Sequence, residues 1–258
     1  MSGSSATIAS RPGRRKAWSP LLDPAVAQWA SLPASTPSSG KWATWKELRT
    51  GNHIVQPDTD RQPAAGNAAN GVPIATFNGS NVLTYPITAA NNSTRFWALI
   101  MRVKPTANLS TRQRILHIGF SAASPKVIVD LVSNTLEVTF YNSTTTGKQL
   151  VCAAALTANV YQSMRVQWNG DGANDAAKAK AFVNGVDQGG TITDVGSPGT
   201  MTDLTAPSVG NTILIGASND SDTPSTALQS GFVIGAHIYI LSAASGNVQR
   251  LIDYQAAA

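Results

Sequence analysis

The sequence predicts an all-β protein folded as an antiparallel sandwich, and two observations carry this prediction. From about residue 71 onward, short segments alternate apolar and polar side chains with a period of two, which is the pattern of half-buried strands. Asn-Gly pairs separate several of these segments, at 78–79, 169–170 and 184–185, and they supply the positive φ angles that tight hairpins need. Strands at short, regular spacing without intervening helices are typical of an antiparallel sandwich.

The chain before the strands is predicted to have two parts. Residues 1–17 form an N-terminal arm, residues 18–41 form a Pro- and Trp-rich lead-in, and the sandwich occupies residues 42–258. We expect the lead-in to be extended, with one helical turn at Pro24 to Trp29. Two hypotheses stay open for the arm: it grips an acidic partner, or it is a solvated tail. In the first hypothesis, the contacts come from Arg11, Arg14, Arg15, Lys16, Trp18 and Trp29.

Three of the strand segments have a clear orientation. Residues 95–103 carry apolar side chains on both alternating faces, which predicts a central strand covered on both sides. Two others alternate cleanly, and the side chains predicted to face inward are Leu136, Val138 and Phe140 in one and Met164, Val166 and Trp168 in the other. These segments are expected to supply the centre of the core.

The end of the chain has a different period. Val248, Leu251 and Ile252 recur at spacings of three and four residues, which predicts a short amphipathic helix with Ser245 as its N-cap. The single cysteine, Cys152, excludes an intrachain disulfide and is expected to be a small buried residue. No signal peptide is visible, and the apolar stretches are too short to span a membrane, so we expect synthesis in the cytoplasm.

The residues that usually carry catalysis are sparse. The chain has two glutamates, Glu47 and Glu137, and neither has an acidic neighbour at i+2 or i+4. The three histidines, His53, His117 and His237, are isolated from acidic residues; we expect a turn residue at position 53 and structural histidines on strands at the other two. No G-x-S-x-G, H-E-x-x-H or phosphate-loop motif occurs. We therefore expect a protein that is not an enzyme.

A longer pattern resembles a known family. The stretch from Trp42 to Leu83 and the end of the chain resemble the laminin-G-like, concanavalin-A-like jelly-roll domains that are common in phage virion proteins and bacterial surface proteins. The matching positions are Trp45, Glu47, Gly51, Asn52, Gln56, Arg61, Pro63, Asn70, Gly71, Pro73, Phe77, Gly79 and Leu83, then Gly231, Ile234, Ile238, Tyr239, Ser242, Arg250, Ile252 and Tyr254. One departure is that Ala236 or His237 stands where the family has an acid.

The resemblance implies a jelly-roll fold and raises three questions about ligands. Glucanases of this fold carry E-x-D-x-x-E on one strand face, and this chain lacks that motif. Related domains often hold a calcium ion at the rim, for which the candidates here are Asp171, Asn174, Asp175, Asp220 and Asp222, although ordinary turns have the same composition. Tyr85, Tyr141 and Tyr161 are candidate aromatic platforms for a sugar, and the sequence favours none of them.

Two functional hypotheses follow from the resemblance and the composition. The first is a structural protein on the surface of a phage virion, a capsid decoration or fibre-like subunit whose arm binds the major capsid protein or another virion protein. Low charge, many small polar residues and the basic arm favour it, and we expect a homo-oligomer without membrane insertion. The alternative is a carbohydrate-binding, lectin-like module on a virion or bacterial surface, with a host surface glycan as its ligand.

Overall fold

The computed structural model describes residues 19–78, 80–88, 92–105, 112–119, 126–207, 212–219, 224–227 and 230–257. It confirms the all-β class. The strands are β1 (Val26–Ser31), β2 (Thr44–Glu47), β3 (Ile54–Val55), β4 (Ala64–Asn67), β5 (Pro73–Asn78), β6 (Leu83–Pro86), β7 (Phe96–Pro105), β8 (Gln113–Ile118), β9 (Val127–Val132), β10 (Thr135–Tyr141), β11 (Gly147–Ala155), β12 (Gln162–Asn169), β13 (Ala179–Val183), β14 (Val186–Asp187), β15 (Thr191–Val195), β16 (Thr212–Ile215), β17 (Ala217–Asn219), β18 (Pro224–Ala227) and β19 (Ser230–Leu241). The helices are α1 (Asp175–Lys178) and α2 (Val248–Ala257).

The strands form two antiparallel sheets that face each other. In the first sheet the order is β14, β13, β12, β7 and β19; beyond β19 lie β5 and β4 along its first half and β1 and β2 along its second half. In the second sheet the order is β3, β6, β16, β8, β9, β10, β11 and β15. Strand β2 belongs to both sheets, because it pairs with β1 at one end and with β3 at the other.

The core lies between the two sheets, where the predictions for inward-facing residues are confirmed. All six of the side chains named above on β10 and β12 are fully buried. Trp45, Trp97 and Trp168 are the largest buried side chains, and the ring of Trp168 lies 5.5 Å from that of Phe140 on the opposite sheet. Large aromatics of this kind dominate the energetics of a core.

A second apolar cluster covers the outer face of the first sheet. Helix α2, predicted from its spacing, places Leu251 and Ile252 on this face, where they pack with Trp29, Ile100 and Tyr239. Strand β7 therefore has the core on one side and α2 on the other, which confirms the prediction of a central strand covered on both sides. Ser245 does not act as the helix N-cap: its hydroxyl accepts from the amide of Asn247, so it stabilises the turn that precedes the helix.

The lead-in contains a strand where we expected a helical turn. The prediction for Pro24 to Trp29 is wrong: residues 26–31 form β1, all six are buried, and the strand lies between β19 and β2. A short 3-10 turn occurs earlier, at Pro20–Leu22, capped by Ser19. The reason is tertiary, because β1 is stabilised by ladder hydrogen bonds to the end of the chain rather than by local contacts.

Glu47 joins β2 to β1 at the point where β2 changes sheets. It is only 2% exposed, and its carboxylate accepts hydrogen bonds from the amides of Trp29, Arg49 and Gly51, at 2.9–3.0 Å, and from the amide and hydroxyl of Thr50. A buried carboxylate is tolerated when such charge-assisted hydrogen bonds satisfy it. The acid of the W-x-E segment therefore has a structural role here.

Two smaller predictions are also confirmed. Cys152 is buried on β11, and burial raises the pKa of its thiol to about 12, which leaves it unreactive. Asn184 and Gly185 both have positive φ angles, of 50° and 81°, and form the tight turn between β13 and β14. In the part of the chain described, no helix has the length and apolar character needed to cross a membrane.

Candidate functional site

The outer face of the first sheet is interrupted by an unusual irregularity in β19. Ile234 pairs with Val103 of β7, and the next paired residue, Ile238, faces Met101, so three residues of β19 (235–237) lie opposite Arg102 alone. At the same place the other edge of β19 changes partner, from β5 at Ile234 to β1 at His237. Bulges of this kind re-aim side chains and are common beside functional sites.

The turn between β4 and β5 stands over this irregularity. It runs from Ala68 to Val72 and is closed by two backbone hydrogen bonds of 2.8 Å, from the amide of Ala68 to Val72 and from the amide of Gly71 to Ala68. Gly71 has a φ of 80°, a conformation that favours glycine. The amide of Val72 also donates to the Asn70 side chain at 3.3 Å. This turn is the N-G-V-P segment of the family resemblance, and it separates two depressions.

The first depression, which we call the Tyr161 groove, has a volume of about 210 Å³ and is open to solvent. Its lining includes Asn70, Val72, Ile74, Arg102, Tyr161 and Gly235. Gly235 matters for its shape, because a Cβ atom there would lie 3.0 Å from the Cβ of Arg102. The groove therefore combines an aromatic ring, an amide side chain, a guanidinium and two apolar side chains around one concavity.

Two cations contact the ring of Tyr161. The guanidinium carbon of Arg102 lies 5.1 Å from the ring centre, and the Nζ of Lys104 lies 4.9 Å from it. Arg102 and Lys104 alternate with the buried Met101 and Val103 on β7, so both point away from the core. Burial raises the pKa of Tyr161, and the positive charge of Arg102 opposes that effect. Cation–π attraction holds these groups together.

The second depression lies on the other side of the same turn and is shallow, with a volume of about 470 Å³. Its lining includes Trp29, Ser31, Leu48, Asn70, Pro73 and His237. The indole of Trp29 donates to Nδ1 of His237 at 3.2 Å, so the proton of the neutral imidazole is on Nε2. Burial lowers the pKa of His237 to about 4, which keeps this ring neutral at physiological pH.

The predicted partner-binding residues fall in different places. Arg11, Arg14, Arg15, Lys16 and Trp18 lie outside the described residues, so the arm hypothesis stays a prediction. Trp29 is 4% exposed, and its contacts with His237 and Tyr239 are internal. The position of Trp29 therefore does not favour docking to a partner, because its ring is buried against His237 and Tyr239 of β19.

The calcium candidates that the structure describes are engaged by other groups. Asp171 accepts from Arg95 at 2.6 Å, Asp175 pairs with Lys148 at 2.8 Å, and the Asn174 side chain caps α1. Among the described residues no group of three or more His, Cys, Asp or Glu is placed to hold a metal ion. The other candidates, Asp220 and Asp222, lie outside those residues. The loop at 171–175 is thus a set of ion pairs and a helix cap.

The three candidate aromatic platforms lie in different environments. Tyr85 is 2% exposed and lies in the core, so it is not a platform. Tyr141 is half-buried on the second sheet, and Tyr161 lines the groove. The predicted structural histidines on strands are confirmed, since His117 lies buried on β8 and His237 on β19. The sequence did not predict the Tyr161 groove. The available signal was Gly235, because a glycine inside a strand pattern often marks a bulge.

Comparisons with solved structures identify the fold. The chain is similar to the binding domain of Paraclostridial mosquitocidal protein 1, with a TM-score of 0.61, 8% identity, and coverage of 92% of this chain and 53% of that one. It is also similar to a Trypanosoma rangeli sialidase, with a TM-score of 0.53, 9% identity, and coverage of 89% of this chain and 32% of that one. For the botulinum neurotoxin serotype G binding domain the TM-score is 0.53 and the identity 12%, with coverage of 90% of this chain and 51% of that one. The chain spans about half the length of the two toxin domains and about a third of the sialidase.

These similarities and the strand order show a jelly-roll β-sandwich of lectin-like fold. No family model matches the sequence, and no curated protein matches it. At such low identity the similarity concerns the fold alone.

Proposed function

We propose that this chain is a non-enzymatic, lectin-like binding module that holds a carbohydrate in the Tyr161 groove. The observation that carries the proposal is the meeting of an aromatic ring, the Asn70 amide and the Arg102 guanidinium around one open concavity. An aromatic face offers apolar area to the C–H groups of a sugar, and amide and guanidinium groups bind its oxygens. The name "binding domain" of two proteins with this fold supports a binding role.

The size of the site fits a shallow surface ligand. Its volume of about 210 Å³ is smaller than the 300–1,000 Å³, roughly, of pockets that enclose a drug-sized ligand. The second depression continues from it across Asn70 and Val72, which line both. A chain of sugar residues would therefore contact the turn between β4 and β5 from both sides, with the Tyr161 groove as its main contact.

The proposal includes no catalysis. Glu47 is occupied by five hydrogen bonds, and Glu137 by Arg112 at 2.8 Å and Gln149 at 3.2 Å. Asp130, the buried acid nearest to Glu137 on the paired strand, is held between Arg112 and Arg114. Neither glutamate lines the Tyr161 groove. Carboxylates used in this way contribute to structure and are poorly placed to act as a nucleophile or an acid.

The test is a binding measurement on an array of oligosaccharides, followed by titration of the best ligand. Tyr161→Ala is expected to weaken binding by about tenfold or more, because it removes the ring. Tyr161→Phe keeps the ring and is expected to retain most of the affinity. Full binding by Tyr161→Ala, with the fold intact by circular dichroism, would place the ligand elsewhere or remove the proposal.

A second candidate function is the capsid decoration or fibre-like subunit of a phage virion, located on the virion surface. The observation that favours it is the concentration of charge: Arg11, Arg14, Arg15 and Lys16 account for four of the net five positive charges of the chain. Deleting residues 1–17 is expected to abolish attachment to particles and to leave glycan binding unchanged. The copy number per purified particle, by quantitative mass spectrometry, measures it directly, and absence from particles would exclude it.

A further inference from the structure

We infer that the Tyr161 groove selects acidic saccharides, those that carry a carboxylate or a sulfate, through Arg102 and Lys104. This inference rests on the proposed carbohydrate-binding function and adds the chemical class of the ligand. Its starting point is that these two neighbouring cations beside one groove both lack an acidic partner among the described residues.

Several basic side chains on or beside the two sheets are paired with acids, although not all are: Arg165 on β12 lies over the ring of Phe182 instead. Within the described residues, salt bridges join Arg112 and Arg114 to Asp130, Lys148 to Asp194, and Lys180 to Asp187. By contrast, no carboxylate of the described part of the chain lies within 4 Å of Arg102 or Lys104, and the lining of the groove contains no acidic residue. Two positive charges therefore face solvent at one place without a counter-charge from the protein.

Both charges are held beside the Tyr161 ring. Both lie about 5 Å from the centre of the Tyr161 ring, and on the β19 side Gly235 places backbone without a side chain beside Arg102. The ring reduces the number of conformations that the two long side chains sample, so less entropy is lost when they bind a ligand. Tyr161 acts in this respect as a positioning residue.

The chemistry of the two cations matches an oxyanion. The guanidinium of Arg102 offers a planar set of donors that binds a carboxylate or sulfate through two parallel hydrogen bonds, and the ammonium of Lys104 adds a second charge. A neutral sugar would leave both charges without a partner. Val72 and Ile74 supply apolar area beside them, which suits the ring carbons of the same saccharide.

The experiment compares acidic saccharides with neutral counterparts of the same backbone. The probes are oligogalacturonate against its neutral methyl ester, and sulfated against unsulfated dextran oligosaccharides, so that carboxylate and sulfate are tested separately. The full-length protein is compared with Arg102→Gln, Lys104→Gln and Tyr161→Ala. Arg250→Gln is the matched control, because it removes one positive charge from an exposed residue of α2 that lines neither depression.

The expected result is binding of at least one acidic probe with an affinity about tenfold or more above that of its neutral counterpart. Arg102→Gln is expected to remove most of this preference, Lys104→Gln part of it, and Arg250→Gln none of it. The preference is also expected to decrease as the salt concentration is raised from about 50 to about 500 mM, because the screening length of exposed charges falls to a few ångströms, roughly, over this range.

Three other outcomes are informative. Equal binding of acidic and neutral probes that is lost in Tyr161→Ala overturns the acidic preference and leaves the proposed function standing. If the preference for acidic probes persists in Arg102→Gln and Lys104→Gln, another part of the surface is responsible for it, and this inference is overturned. If no saccharide of the array or of these pairs binds, the proposed function fails, and the inference fails with it.

Discussion

Single residues in this protein carry structural roles that depend on complete hydrogen bonding. The Glu47 carboxylate, only 2% exposed, satisfies backbone amides on β1 and in the turn after β2. An acid in this position costs little because its charge is matched by amide donors, whereas an incomplete set would leave buried polar groups unpaired. The same side chain therefore fixes the turn and holds β1 against β2.

The first prediction concerns Glu47→Gln. The change removes the negative charge and places an NH₂ group, which only donates, against amides that also donate. We expect the free energy of unfolding to decrease by about 2–3 kcal/mol, measured by urea denaturation. Glu137→Gln is the control, because its partner Arg112 is half-exposed, and it should cost about 1 kcal/mol or less. Equal losses in the two variants would contradict the role given to Glu47.

The second prediction concerns Lys126, whose side chain is fully buried. Its Nζ donates to the carbonyl of Ser93 at 2.7 Å and to Oδ1 of Asn92 at 3.3 Å, and burial lowers its pKa from 10.5 to about 7. Between these two values the unfolded chain binds the proton and the folded protein does not. The unfolded state thus holds more protons, and the stability contribution of this residue rises with pH over that window.

Relative to Lys126→Met, the wild-type protein should gain about 2 kcal/mol of unfolding free energy between pH 7 and pH 9. The comparison of the two proteins is necessary because Cys152 changes the free energy of unfolding in the opposite direction. Its pKa is raised in the folded protein, so its contribution to stability is lost as pH rises above 9. Urea denaturation at four pH values measures both curves. Parallel curves for the two proteins would show that Lys126 does not lose its proton in the folded state.

At the scale of elements, the sequence predicted those strands that can be recognised from the order of apolar and polar residues within the strand itself. Alternation identified β10 and β12, and apolar residues on both faces identified β7 as central, because these patterns reflect burial on one side or on both. Strand β1 was missed since its partner, β19, lies at the other end of the chain and its neighbours are prolines. The bulge at 235–237 was also missed, because a bulge is defined by the register of two strands.

The candidate site was predictable only in part, and for a related reason. Tyr161 was among three tyrosines on strand-like segments, but the tertiary fold alone decides that Tyr85 is buried and that Tyr161 meets Arg102. The loop at Asp171 and Asp175 has the composition of a calcium site, yet Arg95, just before β7, and Lys148, on β11, pair with these two acids. Local composition cannot show such partners.

The third prediction concerns helix α2 and the outer face of the first sheet. Leu251 is fully buried against this face, so Leu251→Ala leaves a cavity and should reduce the free energy of unfolding by about 2–4 kcal/mol. The neighbouring Arg250→Ala, exposed on the same helix, should change stability by about 0.5 kcal/mol or less. Urea denaturation gives both values. A cost for Leu251→Ala as small as that of Arg250→Ala would mean that α2 does not pack stably on the sheet.

At the scale of the whole molecule, the two ends of the described chain are joined. Strand β1 pairs with β19, with Trp29 opposite Tyr239, and the amide of Ser242 donates to the carbonyl of Ala25 at 3.0 Å. The hydroxyl of Ser245 also donates to Asp23. Because α2 packs on the same strands, the lead-in segment and the C-terminal helix stabilise each other through one apolar cluster.

This arrangement gives the last prediction, which compares two deletions. Deleting residues 1–17 leaves every described strand intact, and we expect the product to keep the circular dichroism and the urea midpoint of the full chain. Deleting residues 1–41, the predicted boundary of the sandwich, removes β1 and its six buried residues. That loss exposes the edge of β19 and the apolar face of α2 together, and an unpaired central strand edge promotes aggregation.

We therefore expect the shorter product to be insoluble or to lose the cooperative unfolding transition, because its outer-face cluster loses Val26 and Trp29 in one step. Size-exclusion chromatography and urea denaturation of the two products measure the difference. A third product, with residues 1–17 deleted and Trp29→Ala introduced, separates loss of the ring from loss of the strand: it should fold with a cost of about 3–5 kcal/mol. A stable, monomeric fragment 42–258 would show that β1 is an accessory strand and that the sandwich begins where the sequence placed it.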